Sequence, residues 1–272
     1  MALEFTGDGL PMSADGLGKG CDRLSIEAAD VWTVLTVETK GCGFLPDRRP
    51  QILFERHIFH RETGGAYDET APEVSNASAG GYGPGGAHQY DRLAQAIQLN
   101  RTAALRSASW GIGQVMGFNS TAAGYSDVET MVAAMVASED EQLDAMLGCL
   151  ASNRMDSVLR AHDWTNFARA YNGANYAINQ YDVRLAAAYQ QFATGLLPDL
   201  TTRAAQLYLT YLGYHPGPVD GRLGRMTRSA VTQFQQDQGL AQSGEIDDAT
   251  LTSLQTLAAT PPDPPQTFSA GG

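Results

Sequence analysis

The stretch from residue 202 to 258 constrains the fold more than any other part of the chain. Its caps and glycines leave room for three short helices and little else. The first is predicted from about Arg203 to Leu212, with Tyr208, Leu209 and Leu212 facing inward. Gly213 stands just past its end, where a left-handed backbone favours glycine. A loop follows, Tyr214-His215-Pro216-Gly217-Pro218-Val219-Asp220-Gly221. Thr227 is read as the cap of a second helix that carries Ala230, Val231 and Phe234 and ends at Gly239. Asp247 or Asp248 caps a third, with Leu251, Leu254 and Leu257 at helical spacing. A unit of about 55 residues is near the lower limit for independent stability.

The whole chain has 272 residues, which suits one medium domain beside this small one. Residues 1–22, rich in Gly, Asp and Ser, read as a flexible lead-in. A domain is expected over 23–194, a linker over 195–201, and a Pro-rich disordered tail over 259–272. Ser25 is a plausible N-cap for a helix that runs to about Thr39 and stops at Gly41. Residues 44–60 mix a turn with β-branched and aromatic residues, as a strand or hairpin followed by a helical turn would. Residues 62–90 read as an irregular loop. Helical patterns return at 91–106, 126–150, 154–162 and 175–193. No internal repeat is recognised. The fold class is mainly α, with a small β-hairpin region and a three-helix module.

The formal net charge of −12 argues against nucleic acid or an anionic membrane as the main partner, since both need a basic surface. No segment approaches the roughly 20 apolar residues of a membrane span. The N-terminus MALEFTGDGLPMSADG has neither a basic n-region nor an apolar run, so no secretory signal is read there. The expectation is synthesis in the cytoplasm, with another factor carrying the protein outward if it acts on a wall. Cys21, Cys42 and Cys149 show no CxxC pair, which favours free thiols and leaves a Cys21–Cys42 bridge as the alternative.

Ala28, Val31, Leu35 and Glu38 share one face of the first predicted helix. A carboxyl group at the inner edge of a helix C-terminus is pushed toward its protonated form by desolvation and by the helix dipole. A carboxylic acid protonated near neutral pH is what a general acid needs to protonate a glycosidic oxygen. The competing reading is a helix-end Glu turned to solvent.

Its neighbours weigh against that alternative. Val37-Glu38-Thr39-Lys40-Gly41-Cys42-Gly43-Phe44 resembles the catalytic-Glu motif of lysozyme-like enzymes. Ser109-Trp110-Gly111-Ile112-Gly113-Gln114-Val115-Met116-Gly117 resembles the second signature of goose-type lysozymes and lytic transglycosylases, and Ala170-Tyr171-Asn172-Gly173 resembles their third. The stretches Ile52–Phe59, Gly81-Tyr82-Gly83 and Gln89–Leu93 extend the likeness, over roughly 24–193, to the N-acetylmuramidase domain of bacteriophage endolysins. The resemblance implies hydrolysis of the β-1,4 bond between N-acetylmuramic acid and N-acetylglucosamine in peptidoglycan, with Glu38 as acid. Ser109, Gln114, Tyr171 and Asn172 are then candidates to hydrogen-bond substrate. Trp110 either stacks on a sugar ring or fills the core.

A glycosidase usually pairs its acid with a second carboxylate. Glu55 is the first candidate and Asp47 the second. Their competing readings are an ion pair with Arg56, Arg92 or another Arg and a β-turn Asp. Goose-type enzymes can also lean on one Glu. Glu55, His57 and His60 do not follow a metalloprotease pattern, so neither a metal nor another cofactor is expected.

Leu212-Gly213-Tyr214, Pro218-Val219-Asp220-Gly221, Gly224, Thr227, Ala230-Val231, Phe234-Gln235, Gly239-Leu240 and Gly244 closely resemble the widespread peptidoglycan-binding module. Asp220 is expected to tie down its loop. Tyr214, Arg222 and Arg225 are candidates for wall contact. The implied protein is a monomer acting on peptidoglycan, an endolysin released through a holin. The alternatives are a lytic transglycosylase, a secreted interbacterial toxin and a non-catalytic wall-binding protein.

Overall fold

The computed structural model of the chain describes residues 4–39, 42–173 and 176–259; within them, the side chains of Glu38, Thr39, Asn172, Tyr176 and Ile178 lie outside the description. The fold is mainly α-helical and lysozyme-like, with one small antiparallel sheet. Helices α1 (Ala14–Leu24), α2 (Ala28–Thr39) and α3 (Arg56–Thr63) precede a long loop. Then come α4 (His88–Leu99), α5 (Arg101–Arg106), α6 (Ser120–Ala123), α7 (Val128–Ala137), α8 (Glu139–Ser152), α9 (Asp156–Arg160), α10 (Trp164–Asn172) and α11 (Tyr181–Thr194). The three remaining helices, α12 (Leu200–Tyr211), α13 (Arg225–Asp237) and α14 (Asp248–Ala258), form the C-terminal unit.

α2 is the central helix. Every residue from Ala29 to Leu35 is buried, so the helix is enclosed on all sides over that stretch and not only on the face of Val31 and Leu35. α11 packs along it, and Arg184 of α11 donates to the carbonyl of Val37 at 3.2 Å. Ser25 does not cap its start. It adopts the left-handed conformation (φ 52°) and closes the end of α1.

The sheet is ordered β1 (Ile52–Phe54), β2 (Ala108–Trp110), β3 (Val115–Met116), with Ile52 opposite Trp110 and Phe54 opposite Ala108. Two expected helices are each broken in two by a capping side chain. Asn100 caps α5 by accepting from the amide of Ala103 (3.0 Å), and Ser138 caps α8 by accepting from that of Glu141 (3.1 Å).

Residues expected to be a flexible lead-in are built into the domain. Leu10 pairs in parallel with Ser138, Met12 is buried, and Ser13 caps α1 through the amide of Gly16 at 2.9 Å. α1 is rich in glycine, which weakens a helix in isolation. Here it lets α1 approach α8 closely: a Cβ on Gly20 would lie 2.5 Å from Leu147 Cδ1. Tertiary packing therefore supplies what propensity withholds.

In the C-terminal unit the expected linker is shortened, because Asp199 already caps α12 through the amide of Thr202 at 2.7 Å. Thr227 is not a cap: Gly224 precedes α13, and the buried Thr227 hydroxyl donates to Pro216 O at 2.9 Å. Asp247 caps α14 (2.8 Å to Thr250 N), and Leu257, expected inside, is exposed. The unit uses one lock twice. Gln206 Oε1 accepts from Gly221 N (2.8 Å), and its Nε2 donates to Thr227 Oγ1 (3.1 Å). Gln235 Oε1 accepts from Gly244 N (2.9 Å), and its Nε2 donates to Thr250 Oγ1 (3.0 Å). Both glycines have positive φ, 70° and 68°. This is an internal structural repeat that the sequence reading missed. The tail beyond Ala259 lies outside the described residues.

Candidate active site

Glu38 is the penultimate residue of α2. The burial expected of its side chain falls outside the described residues, as do Lys40 and Gly41. The chain is described again from Cys42. Gly43 N donates to Glu139 Oε1 at 2.9 Å. A Cβ on Gly43 would lie 1.9 Å from Gln142 Oε1 and 3.1 Å from Ile112 Cβ, so the chain leaving α2 presses on the turn between β2 and β3.

That turn holds the second motif. Ser109 Oγ donates to Gln114 Oε1 (2.8 Å), and Gln114 Nε2 donates to Gly111 O (2.8 Å). Both side chains, expected to meet substrate, thus bond within the hairpin. They fix a backbone in which Gly111 and Gln114 have φ of 69° and 48°. Trp110 is 0 % exposed and donates its indole N–H to Leu105 O at 3.1 Å. It is a core residue, which removes it from the sugar-stacking candidates.

Tyr171, half-buried, donates its hydroxyl to Gly113 O at 2.9 Å and stacks on Phe167 with ring centroids 5.5 Å apart. It shares the lining of a cavity of about 410 Å³ with Gln114, Met116, Asn119, Cys149 and Asn153. The second and third motifs therefore meet at one concave surface. Asn172 ends α10, and its side chain lies outside the described residues.

The second-carboxylate candidates part company. Asp47 is bound by Arg49 in a turn, at 2.6 Å from Nη2 and 2.9 Å from Nε, so it is a turn residue. Glu55 follows Phe54, at the end of the β1–β2 ladder away from the Gly111–Gln114 turn. At about 3.3 Å per strand residue, four residues put the separation at roughly 13 Å. The ion pairs considered for it with Arg56 or Arg92 do not form; its Oε2 lies 3.1 Å from His57 Nδ1, but the two are not aligned as a hydrogen bond, and both atoms are buried without one. Burial and then the Glu55 carboxylate raise the pKa of the Tyr82 phenol. His60 lies elsewhere, paired with Asp68 at 2.7 Å.

The long loop over these groups is pinned by side chains. Gln89 Nε2 donates to the carbonyls of Tyr82 and Pro84, each at 2.7 Å, and Arg92 Nη2 donates to Glu73 O at 2.9 Å. Among the described residues no group of metal-ligating side chains gathers, no helix is long and apolar enough to cross a membrane, and the three cysteines are free.

In the C-terminal unit Asp220 Oδ1 accepts from Gln206 Nε2 and Arg222 N, both at 3.0 Å, and so ties its own loop. Tyr214 donates to Asp237 Oδ2 at 2.9 Å and meets Phe234 edge-on. Arg222 and Arg225 are exposed. The sequence reading missed the group that joins the two units: Arg203, fully buried, is bound to the buried Glu139 carboxylate. A usable signal existed, because Arg203 stands on the helix face of Leu207 and Tyr211.

A helical domain whose central helix ends beside a small three-stranded sheet, carrying a compact three-helix unit, defines a lysozyme-like protein with an appended module. Residues 27–193 match the N-acetylmuramidase family, and residues 200–254 match a peptidoglycan binding domain family. The chain belongs to the N-acetylmuramidase family. It resembles the crystal structure of the endolysin of Burkholderia phage AP3, at 43 % identity and a TM-score of 0.62, covering 67 % of this chain and 70 % of that one. Over 54 residues it is 43 % identical to the localization factor PodJL of Caulobacter vibrioides. That match takes in 20 % of this chain and spans only 6 % of the length of that protein.

Proposed function

We propose that the protein hydrolyses the β-1,4 bond between N-acetylmuramic acid and N-acetylglucosamine in bacterial peptidoglycan, as an endolysin that lyses its host. The observation that carries this reading is the family match over 27–193, with Glu38 at the end of the central helix and the Gly111–Gln114 turn pressed against the chain that leaves it. The likeness to a phage endolysin supports the biological setting.

In this reading Glu38 protonates the leaving glycosidic oxygen while positive charge develops at the anomeric carbon, and water completes the substitution there. Glu55 remains the candidate for the second carboxylate. Tyr171 and Asn172 border the sugar-binding surface. Ser109 and Gln114 act on substrate through the backbone that they shape. The three-helix unit holds the enzyme on peptidoglycan, with Tyr214 and the exposed Arg222 and Arg225 at the contact. The protein works as a monomer, made in the cytoplasm and released to the wall through a holin.

A turbidity assay on purified wall tests the enzyme reading. Wild type should clear the suspension and Glu38→Gln should not; equal clearing, or none from either, removes it.

A further inference from the structure

The two units meet through buried polar groups. Glu139 is fully buried and receives donors from three separate parts of the chain. Its Oε1 accepts from Gly43 N (2.9 Å) and Arg203 Nη2 (2.7 Å). Its Oε2 accepts from Met12 N (2.9 Å) and Arg203 Nη1. Met12 belongs to the N-terminal segment, Gly43 to the chain leaving α2, and Arg203 to the first helix of the C-terminal unit.

The same junction grips the chain after α2 from the other side. Phe44 is buried, and it packs in the apolar cluster of the C-terminal unit with Leu209, Val231 and Phe234. Arg48 lies over the ring of Tyr211, 5.1 Å from its centroid, and the Tyr211 hydroxyl donates to Gly9 O at 2.7 Å. A module tethered only to hold the enzyme near its substrate needs none of this. Inter-domain contacts within a chain are ordinarily more polar and looser than a shared core.

We propose that Arg203 and Glu139 are positioning residues for the catalytic step: through Gly43 they fix the chain that leaves the Glu38 helix, so the C-terminal unit completes the active site as well as holding the wall. This rests on the assignment of Glu38 as the acid. Small displacements of a reacting group are enough to matter, since a shift of about 1 Å can cost on the order of a hundredfold in rate.

The test uses the full chain and a soluble tetrasaccharide of alternating N-acetylglucosamine and N-acetylmuramic acid, which does not depend on the wall contact. Removing one charge alone leaves the other buried and unpaired, whereas replacing both with apolar groups is tolerated in other proteins. The informative variant is therefore Glu139→Met with Arg203→Met. It should stay folded, lose about tenfold or more in kcat, and hold KM within about twofold, because Gly43 has lost its acceptor. Arg203→Lys, which keeps Glu139 charged, should recover most of the loss. Arg228→Ala, which breaks an exposed ion pair with Glu245 in the same unit, should leave kcat unchanged.

A folded double variant with wild-type kcat overturns the inference. If that variant does not fold, hydrogen exchange on wild type decides: the amides of 42–44 should exchange as slowly as those of α12, and fast exchange there overturns it. Glu38→Gln, run alongside, separates the two claims. Wild-type kcat in Glu38→Gln removes the acid assignment. An inactive Glu38→Gln beside an unaffected double variant removes only the positioning role.

Discussion

Trp110 donates its indole N–H to the carbonyl of Leu105 at 3.1 Å, with none of its side chain exposed. The bond seats the ring beneath β2, against Phe5 at 5.5 Å between centroids. Trp110→Ala should therefore act on stability, by about 3–5 kcal/mol for a large aromatic removed from a core. Denaturant unfolding should show that loss, while the folded fraction keeps its KM for soluble glycan. A variant of wild-type stability with a raised KM would return Trp110 to the substrate surface.

Gln206 and Gln235 perform the same task in successive turns of the C-terminal unit. Truncating either strands a buried glycine amide, at about 1–3 kcal/mol for a group left unpaired. Gln206→Ala and Gln235→Ala should each lower the unfolding midpoint by similar amounts. A large effect from one and none from the other would deny that the two locks are equivalent.

Asp68 accepts from Ser75 Oγ at 2.6 Å and pairs with His60 at 2.7 Å. The Ser75 hydrogen bond is the main cause that holds its pKa below the usual carboxylate value; burial opposes it, and the hydrogen bond and charge of His60 add to the lowering. A depressed folded pKa gives stability that is present above the unfolded value of about 3.9 and is lost as pH falls through the folded one. Hydrogen exchange in residues 64–76 should accelerate as pH falls below about 3.9, beyond the intrinsic effect of pH, and Asp68→Asn should remove that extra step. An identical profile in the variant would contradict the anchor.

Burial pushes the Cys42 and Cys149 thiols up to about 11 and also raises that of Cys21. The thiolate is the reacting form. Alkylation near neutral pH should be slow at all three in the folded chain and fast after unfolding, with mass spectrometry locating each adduct. Rapid modification of native Cys42 would show that the junction between the units opens.

Much of this architecture was legible in the sequence, for physical reasons. Asp247 is a helix cap with a local signature, and the mainly α class with one small β region follows from the helical spacings and the β-branched stretch near residue 52. What stayed hidden depended on partners distant in the chain. α1 is poor helix material until α8 lies against it. Glu139 belongs to a run, Glu139-Asp140-Glu141, that reads as a solvated first turn. Only the arrival of Arg203 turns one member of that run inward. Ser109 and Gln114 stand in the sequence as candidates to meet substrate, whereas their bond to each other depends on the β2–β3 hairpin. The repeat of Gln, Gly and Thr was present in the sequence, masked by loops of unequal length before each glycine.

The central claim is glycan-strand hydrolysis with Glu38 as acid. Its most direct test is mass spectrometry of wall digested in heavy-oxygen water. Hydrolysis with Glu38 as acid gives new reducing N-acetylmuramic acid ends that carry one oxygen from water, and none from Glu38→Gln. Products ending in 1,6-anhydro-muramic acid without the label, or labelled ends produced equally by Glu38→Gln, would contradict it.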